Sequence, residues 1–140
     1  MFREILLAVD GSEHALNAAR LASDLANAMN SRMLRIVVAY DRIPPYLGEP
    51  NMQIAIVNRL KESEEILQKA VTAVGNVSAE IHTEPIERNP AEAIIEVAKN
   101  HGSDLIVMGS RGLGRMAGMV LGSTSQKVVA HAPCPVLIVR

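Results

Sequence analysis

Leu105-Ile106-Val107-Met108 is an uninterrupted apolar run that ends on Gly109. A strand with one wet face alternates apolar and polar residues, so an unbroken run needs cover on both faces, the condition of a parallel sheet between two helix layers. Ile5-Leu6-Leu7-Ala8-Val9, Ile36-Val37-Val38-Ala39 and Val136-Leu137-Ile138-Val139 read the same way. Between the first two runs, Ala15, Ala18, Ala19, Ala22, Leu25, Ala26 and Met29 recur at helical spacing and form one apolar face, with Ser12 as the expected N-cap. Leu60, Ser63, Leu67, Ala70, Val71 and Val74 form a second stripe, behind a loop from Ile43 to Pro50 that its prolines keep out of helix. Ile94, Val97, Ala98 and His101 outline a third helix, with Asn89 as N-cap, Pro90 in the first helical position and Glu92 in the third.

A weaker strand is predicted over Val77 to Thr83, where Val77, Ala79 and Ile81 alternate with Ser78, Glu80 and His82, a pattern that suits an exposed edge. A last helix is predicted from Gly122-Ser123 to about Ala132, with Val128 and Val129 inward and Pro133 and Pro135 ending it. Strand and helix therefore alternate up to a fifth strand. With right-handed crossovers this is an α/β fold built on a doubly wound open sheet, one domain over residues 1–140 without linker or internal repeat.

Composition narrows the partners. The chain has 140 residues with 14 basic and 15 acidic side chains, 49% hydrophobic residues and 2% aromatic. At this length folding removes roughly 68–70% of the unfolded chain's surface from water, so a core forms without disulfides or structural metal. A net charge of −1 gives no general attraction to nucleic acid or anionic lipid, and neither is an expected partner. Uncharged stretches such as Met116 to Gln126 fall well short of the ~18–20 apolar residues that cross a bilayer. Arg3, Glu4 and Asp10 break any signal-peptide pattern at the start, and the single cysteine, Cys134, agrees with a reducing, cytoplasmic setting.

Any anion must then be held by local geometry, and the glycines show where. Gly109, Gly112, Gly114, Gly118 and Gly122 are five of the nine in the chain, and all follow one buried strand. Glycine lets backbone N–H groups approach an anion with no Cβ in the way, and the helix starting at Gly122-Ser123 adds unpaired N–H groups and the positive end of its dipole. Ser123, Thr124 and Ser125 bring hydroxyls, which makes phosphate the natural guest. Arg111 and Arg115 lie in the same segment, either as phosphate contacts or as solvated surface charges.

Two familiar nucleotide motifs fail here. Gly112-Leu113-Gly114-Arg115-Met116-Ala117 fits the dinucleotide fingerprint formally, but that motif opens the first βαβ unit and needs an acid ~20 residues later, where this chain has Ala132. A P-loop requires a Gly-Lys pair, and the chain has none. The longer spacing Gly109-x2-Gly112-x9-Gly122-Ser123 resembles the ATP-binding G-x2-G-x9-G-[ST] signature of the universal stress protein family. Asp104 to Gly112, Ala132 to Val139 and Ile5 to Ser12 resemble that family's closing and opening blocks, so the resemblance covers most of the chain and is weakest between Pro44 and Thr83.

That resemblance implies a Rossmann-like five-stranded parallel sheet in the order 3-2-1-4-5 with helices on both faces, and ATP, with Mg2+, at the carboxyl ends of strands 1 and 4. By the same resemblance, Ala8 and Asp10 belong to the adenosine site and Ala39 contacts adenine through its backbone. Gly109 lies beside the ribose and Gly112, Gly122, Ser123 and Ser125 hold phosphates, while Met108, Ser110, Arg111, Arg115 and Thr124 complete the nucleotide-binding set. Ala8 and Ala39 stand where some members carry larger residues, which thins the adenine contact surface. Asp10 also reads as a plain helix-start acid that favours the dipole. A receiver domain would share that acid, but it needs an Asp after strand 3 and a Lys after strand 5, where this chain has Pro85 and its end.

The histidines, His14, His82, His101 and His131, lack the spacing of metal ligands, and Cys134 between two prolines reads as a packing residue. Met116 and Met119 either pack over a nucleotide or offer an adaptable partner surface. The wholly apolar final strand either sits centrally or, as an edge, pairs with the same strand of a second copy, and a homodimer through Val136-Val139 is the expectation. The working reading is an ATP-dependent switch in stress response with a downstream protein partner of unknown identity. It has no dedicated general base, so any ATP hydrolysis should be slow. The rivals are a slow ATP hydrolase or a switch self-phosphorylating on Ser123, Thr124 or Ser125, and a dimeric interaction module that is empty or holds AMP.

Overall fold

In the computed structural model, which describes residues 1–110 and 121–140, the strands are β1 (Glu4–Val9), β2 (Met33–Tyr40), β3 (Glu80–Glu87), β4 (Leu105–Gly109) and β5 (Val136–Val139). Between them lie α1 (Glu13–Ala28), α2 (Asn51–Val74), α3 (Pro90–His101) and α4 (Ser123–His131), with a 3-10 turn over Pro45–Leu47 ahead of α2. All five strands pair in parallel in the order β3-β2-β1-β4-β5, the doubly wound order expected.

The apolar runs explain the layers. Along β1 successive side chains point to opposite faces. Ile5, Leu7 and Val9 face α1 and α2, where Ala15, Ala18, Ala19, Ala22, Leu67 and Ala70 cover them. Leu6 and Ala8 face α3 and α4, against Ala91, Ile94, Val97, Ala98 and Val128. The alanine-rich face of α1 lets its backbone lie close to the sheet. Ser12 Oγ accepts the Ala15 N–H at 3.2 Å and Asn89 Oδ1 accepts the Glu92 N–H at 3.2 Å, so both expected N-caps are in place.

Several boundaries differ from the sequence reading. β2 starts at Met33 rather than Ile36, because Arg35 interrupts the apolar pattern while Met33 and Leu34 are already buried. β3 runs over Glu80–Glu87 rather than Val77 to Thr83, and its register continues through Pro85 opposite Val38. An edge strand tolerates proline because one side of it has no ladder to break. α2 begins at Asn51, well before the buried stripe: Ile54, Val57 and Leu60 are exposed and burial starts at Ser63. Val129 faces solvent at 50% exposure beside fully buried Val128, since neighbours on a helix point about 100° apart and only one can face the sheet. β5 is an edge, paired with β4 from Ile106↔Val136 to Gly109↔Val139, and all four of its residues are half-buried.

Candidate functional site

From β1 the chain crosses to β2 on one side, whereas from β4 it crosses to β5 on the other, so the strand order reverses between β1 and β4. In open α/β sheets the crevice beyond the carboxyl ends at such a reversal is the ligand site. Ala8 and Met108 are register partners there, both buried on the α3/α4 face.

Asp10 follows β1 and is half-buried. Its Oδ1 accepts the Ser12 N–H at 2.9 Å, which shapes the turn into α1. Gly11 between them has φ +87, a left-handed conformation that side chains disfavour, and a Cβ there would sit 3.3 Å from the Ile66 side chain of α2. Ala39 lies one residue before the end of β2, opposite Ile86, and is half-buried. The next residue, Tyr40, receives the Arg59 guanidinium over its ring at 5.6 Å, and its carbonyl accepts the Arg88 N–H at 2.8 Å. Burial pushes the Tyr40 hydroxyl above its usual range; nearby Glu87 adds to that and Arg59 opposes it. An open groove of about 400 Å³ continues outward from this end, lined by Asp41, Arg42, Arg88, Asn89 and Glu92, with Arg88 paired to Glu96.

Beyond β4, each polar atom of Ser110 has a partner. Its N–H donates to the Val139 carbonyl at 2.8 Å, and its carbonyl accepts both the Gly122 N–H at 2.7 Å and the Ser125 hydroxyl at 2.9 Å. Its Oγ lies 2.9 Å from His14 Nδ1 in α1. Residues 110 and 122 are therefore held together, closing the two ends of the intervening segment. Gly109 owes its lack of a side chain to this packing: a Cβ would come within 2.9 Å of His14 Cβ and 3.0 Å of the Ala15 nitrogen.

Gly122 caps α4 from φ −77 and ψ 170, with no side-chain hydrogen bond to the helix start. Ser123 is exposed, Thr124 half-buried and Ser125 buried, its hydroxyl turned onto the Ser110 and Gly122 carbonyls rather than outward. The expected site residues Arg111, Gly112 and Arg115, together with Gly114, Met116, Gly118 and Met119, lie outside the described residues. The remaining expected positions, Ala8, Asp10, Ala39, Met108, Gly109, Ser110, Gly122, Ser123, Thr124 and Ser125, all lie at the carboxyl end of the sheet. The sequence does not announce the His14 contact with Ser110: the two residues are 96 positions apart, and no local pattern links them.

Cys134 precedes β5 and is half-buried; burial, then Asp104, pushes its thiol above the ordinary range, which fits packing rather than reactivity. Among the described residues no three or more His, Cys, Asp or Glu side chains gather where they could hold a metal ion, and no helix is long and apolar enough to cross a membrane.

The fold is that of a doubly wound α/β protein whose strand order reverses between β1 and β4, with the glycine-capped start of α4 held to the end of β4 through Ser110. The chain belongs to the universal stress protein family, whose family model matches residues 1–140. A universal stress protein of Thermus aquaticus is 47% identical over 140 residues, covering 100% of both chains. The structure of universal stress protein UspA from Lactobacillus plantarum superposes with a TM-score of 0.87 at 28% identity, covering 99% of this chain and 98% of that one. Another universal stress protein, solved in complex with cAMP, matches with a TM-score of 0.67 at 30% identity over 99% of this chain and 97% of that one.

Proposed function

We propose that this protein binds an adenine nucleotide, ATP with Mg2+ in the first instance, at the β1/β4 crevice and serves as a nucleotide-dependent switch in stress response. The observation that carries this reading is the start of α4. Gly122 sits in extended backbone that any residue adopts, so its glycine is not required by its φ. What glycine supplies there is the absence of a side chain at an uncapped helix start, the arrangement that suits phosphate. Ser123 and Thr124 remain available to phosphate oxygens, while Ser125 holds the carbonyls behind them. A relative of the same family in complex with cAMP supports an adenine nucleotide as the guest.

Asp10, Ala8 and Ala39 would hold the adenosine part, with Met108 beneath it. The small side chains of Ala8 and Ala39 leave the adenine contact to backbone. Asp10 is the one carboxylate of the described residues on the β1 turn, and Mg2+ bound mainly through phosphates and water needs no larger protein cage. Mg2+ would supply charge neutralisation between phosphates. A ligand shifts the protein between states only through unequal affinity for them.

The test is calorimetric titration of the protein with ATP and Mg2+, AMP and cAMP in turn, alongside identification of any nucleotide released on denaturation. Saturable binding of an adenine nucleotide supports the reading; no binding at millimolar concentration overturns it.

We further propose a homodimer through β5. An unpaired, wholly apolar edge strand is an aggregation risk unless something covers it, and Val136, Leu137, Ile138 and Val139 are only half-buried in the single chain. Sedimentation equilibrium should show a dimer for the wild type and monomer or insoluble protein for Leu137→Asp and Ile138→Asp. An unchanged dimer in both variants rules the interface out.

A further inference from the structure

We propose that His14 is a positioning residue: acting through Ser110, it fixes the start of α4 at the nucleotide site. The inference deepens the nucleotide reading and rests on it for its binding arm. Three observations meet at this point. His14 Nδ1 lies 2.9 Å from the Oγ of Ser110, a residue only 1% exposed. The carbonyl of the same Ser110 accepts the Gly122 N–H at 2.7 Å and the Ser125 hydroxyl at 2.9 Å, which sets where α4 begins. Gly109 has no side chain, and the space a Cβ would need is occupied by His14 Cβ and the α1 backbone at 2.9 to 3.0 Å.

The geometry has a direction. α1 approaches β4 closely because residue 109 is glycine, and that approach brings His14 within reach of Ser110. With its Oγ held by His14 and its N–H by Val139, Ser110 has little freedom to turn its peptide. Its carbonyl therefore points steadily at Gly122 and Ser125. Losing either partner of the His14–Ser110 contact leaves the Ser110 peptide freer to turn and loosens the bonds that seat α4. His14 need not touch the nucleotide for this to matter, since the N–H groups of the first turn of α4 are useful to phosphate only when aimed at one place.

Two measurements on the full chain decide it, using His14→Leu, His14→Asn, Ser110→Ala and the His14→Leu/Ser110→Ala double variant. Asn carries a polar atom close to where Nδ1 lies. In nucleotide-free protein, amide hydrogen exchange at Gly122 should be about three- to tenfold faster in His14→Leu than in wild type, and restored in His14→Asn. In titrations with ATP and Mg2+, His14→Leu and Ser110→Ala should each weaken binding about three- to tenfold, with the double variant no weaker than the worse single one. Unchanged Gly122 exchange in His14→Leu, no rescue by Asn, or additive losses in the double variant would each overturn the proposal. If wild type binds no nucleotide, the nucleotide reading fails by itself, and the exchange result still decides whether His14 seats α4.

Discussion

α1 and α4 both begin at the carboxyl end of the sheet, on either side of the β1/β4 reversal, and they begin in opposite ways. The first turn of α1 is capped by side chains: Asp10 Oδ1 takes the Ser12 N–H at 2.9 Å and Ser12 Oγ takes the Ala15 N–H at 3.2 Å. Gly122 gives α4 no side-chain cap, although a serine, Ser123, stands one position later. A glycine in the N-cap position forgoes only about a few tenths of a kcal/mol of helix stability relative to serine. One helix start is capped by its own side chains and its neighbour is not, which under the proposed function leaves the start of α4 for an anion.

The largest expected effect comes from closing the open end. In Gly122→Val the branched side chain occupies the space in which phosphate would meet the main chain. Losing two charge-assisted hydrogen bonds of about 1.5 kcal/mol each corresponds to roughly a hundredfold weaker binding. The fold should tolerate the change, because φ −77 and ψ 170 suit a β-branched residue. Calorimetric affinity together with a thermal melt separates the two effects. A variant that binds ATP as tightly as wild type erases the distinction between the two helix starts.

That distinction was only partly legible in the sequence. The buried runs Ile5–Val9 and Leu105–Met108 announced covered strands because neither contains a polar residue. Where one charged or imino residue sat inside a strand, as with Arg35 in β2 and Pro85 in β3, the pattern misplaced its boundary, since burial of the neighbours is a tertiary property. The early part of α2 was hidden for the converse reason: Ile54 and Val57 are apolar yet exposed, so no stripe marks it. Gly109 reads in sequence as a ligand residue. In the structure its missing Cβ serves the approach of α1, and the His14 contact follows from that approach. No one-dimensional spacing carries a contact across 96 residues.

The comparison sharpens on the closed side with Ser12→Ala. Removing this hydroxyl leaves the Ala15 N–H without its acceptor, and N-cap truncations cost about 1 kcal/mol. For a chain of this size that lowers the melting temperature by about 3–4 °C. Nucleotide affinity should change less than twofold, since the cap faces into the α1 turn and the variant leaves Gly122 and Ser110 untouched. Scanning calorimetry gives the first quantity and titration the second. A large loss of affinity with no loss of stability would make Ser12 a ligand residue and reverse the assignment of the two ends.

The smallest effect is also the most diagnostic, because it gives α4 what α1 already has. In Gly122→Ser the new hydroxyl can accept an N–H of the first turn of α4, as Ser12 does in α1. Serine over glycine at an N-cap is worth only a few tenths of a kcal/mol, so the melting temperature should rise by about 1 °C. If the open start is a ligand site, that small gain has an opposing consequence: the hydroxyl must be displaced for phosphate to bind, and affinity falls two- to threefold while stability rises. A residue that merely ends a loop would give the stability change alone. Opposite signs in the two measurements on one variant therefore mark Gly122 as retained for binding, against the preference of the helix it begins.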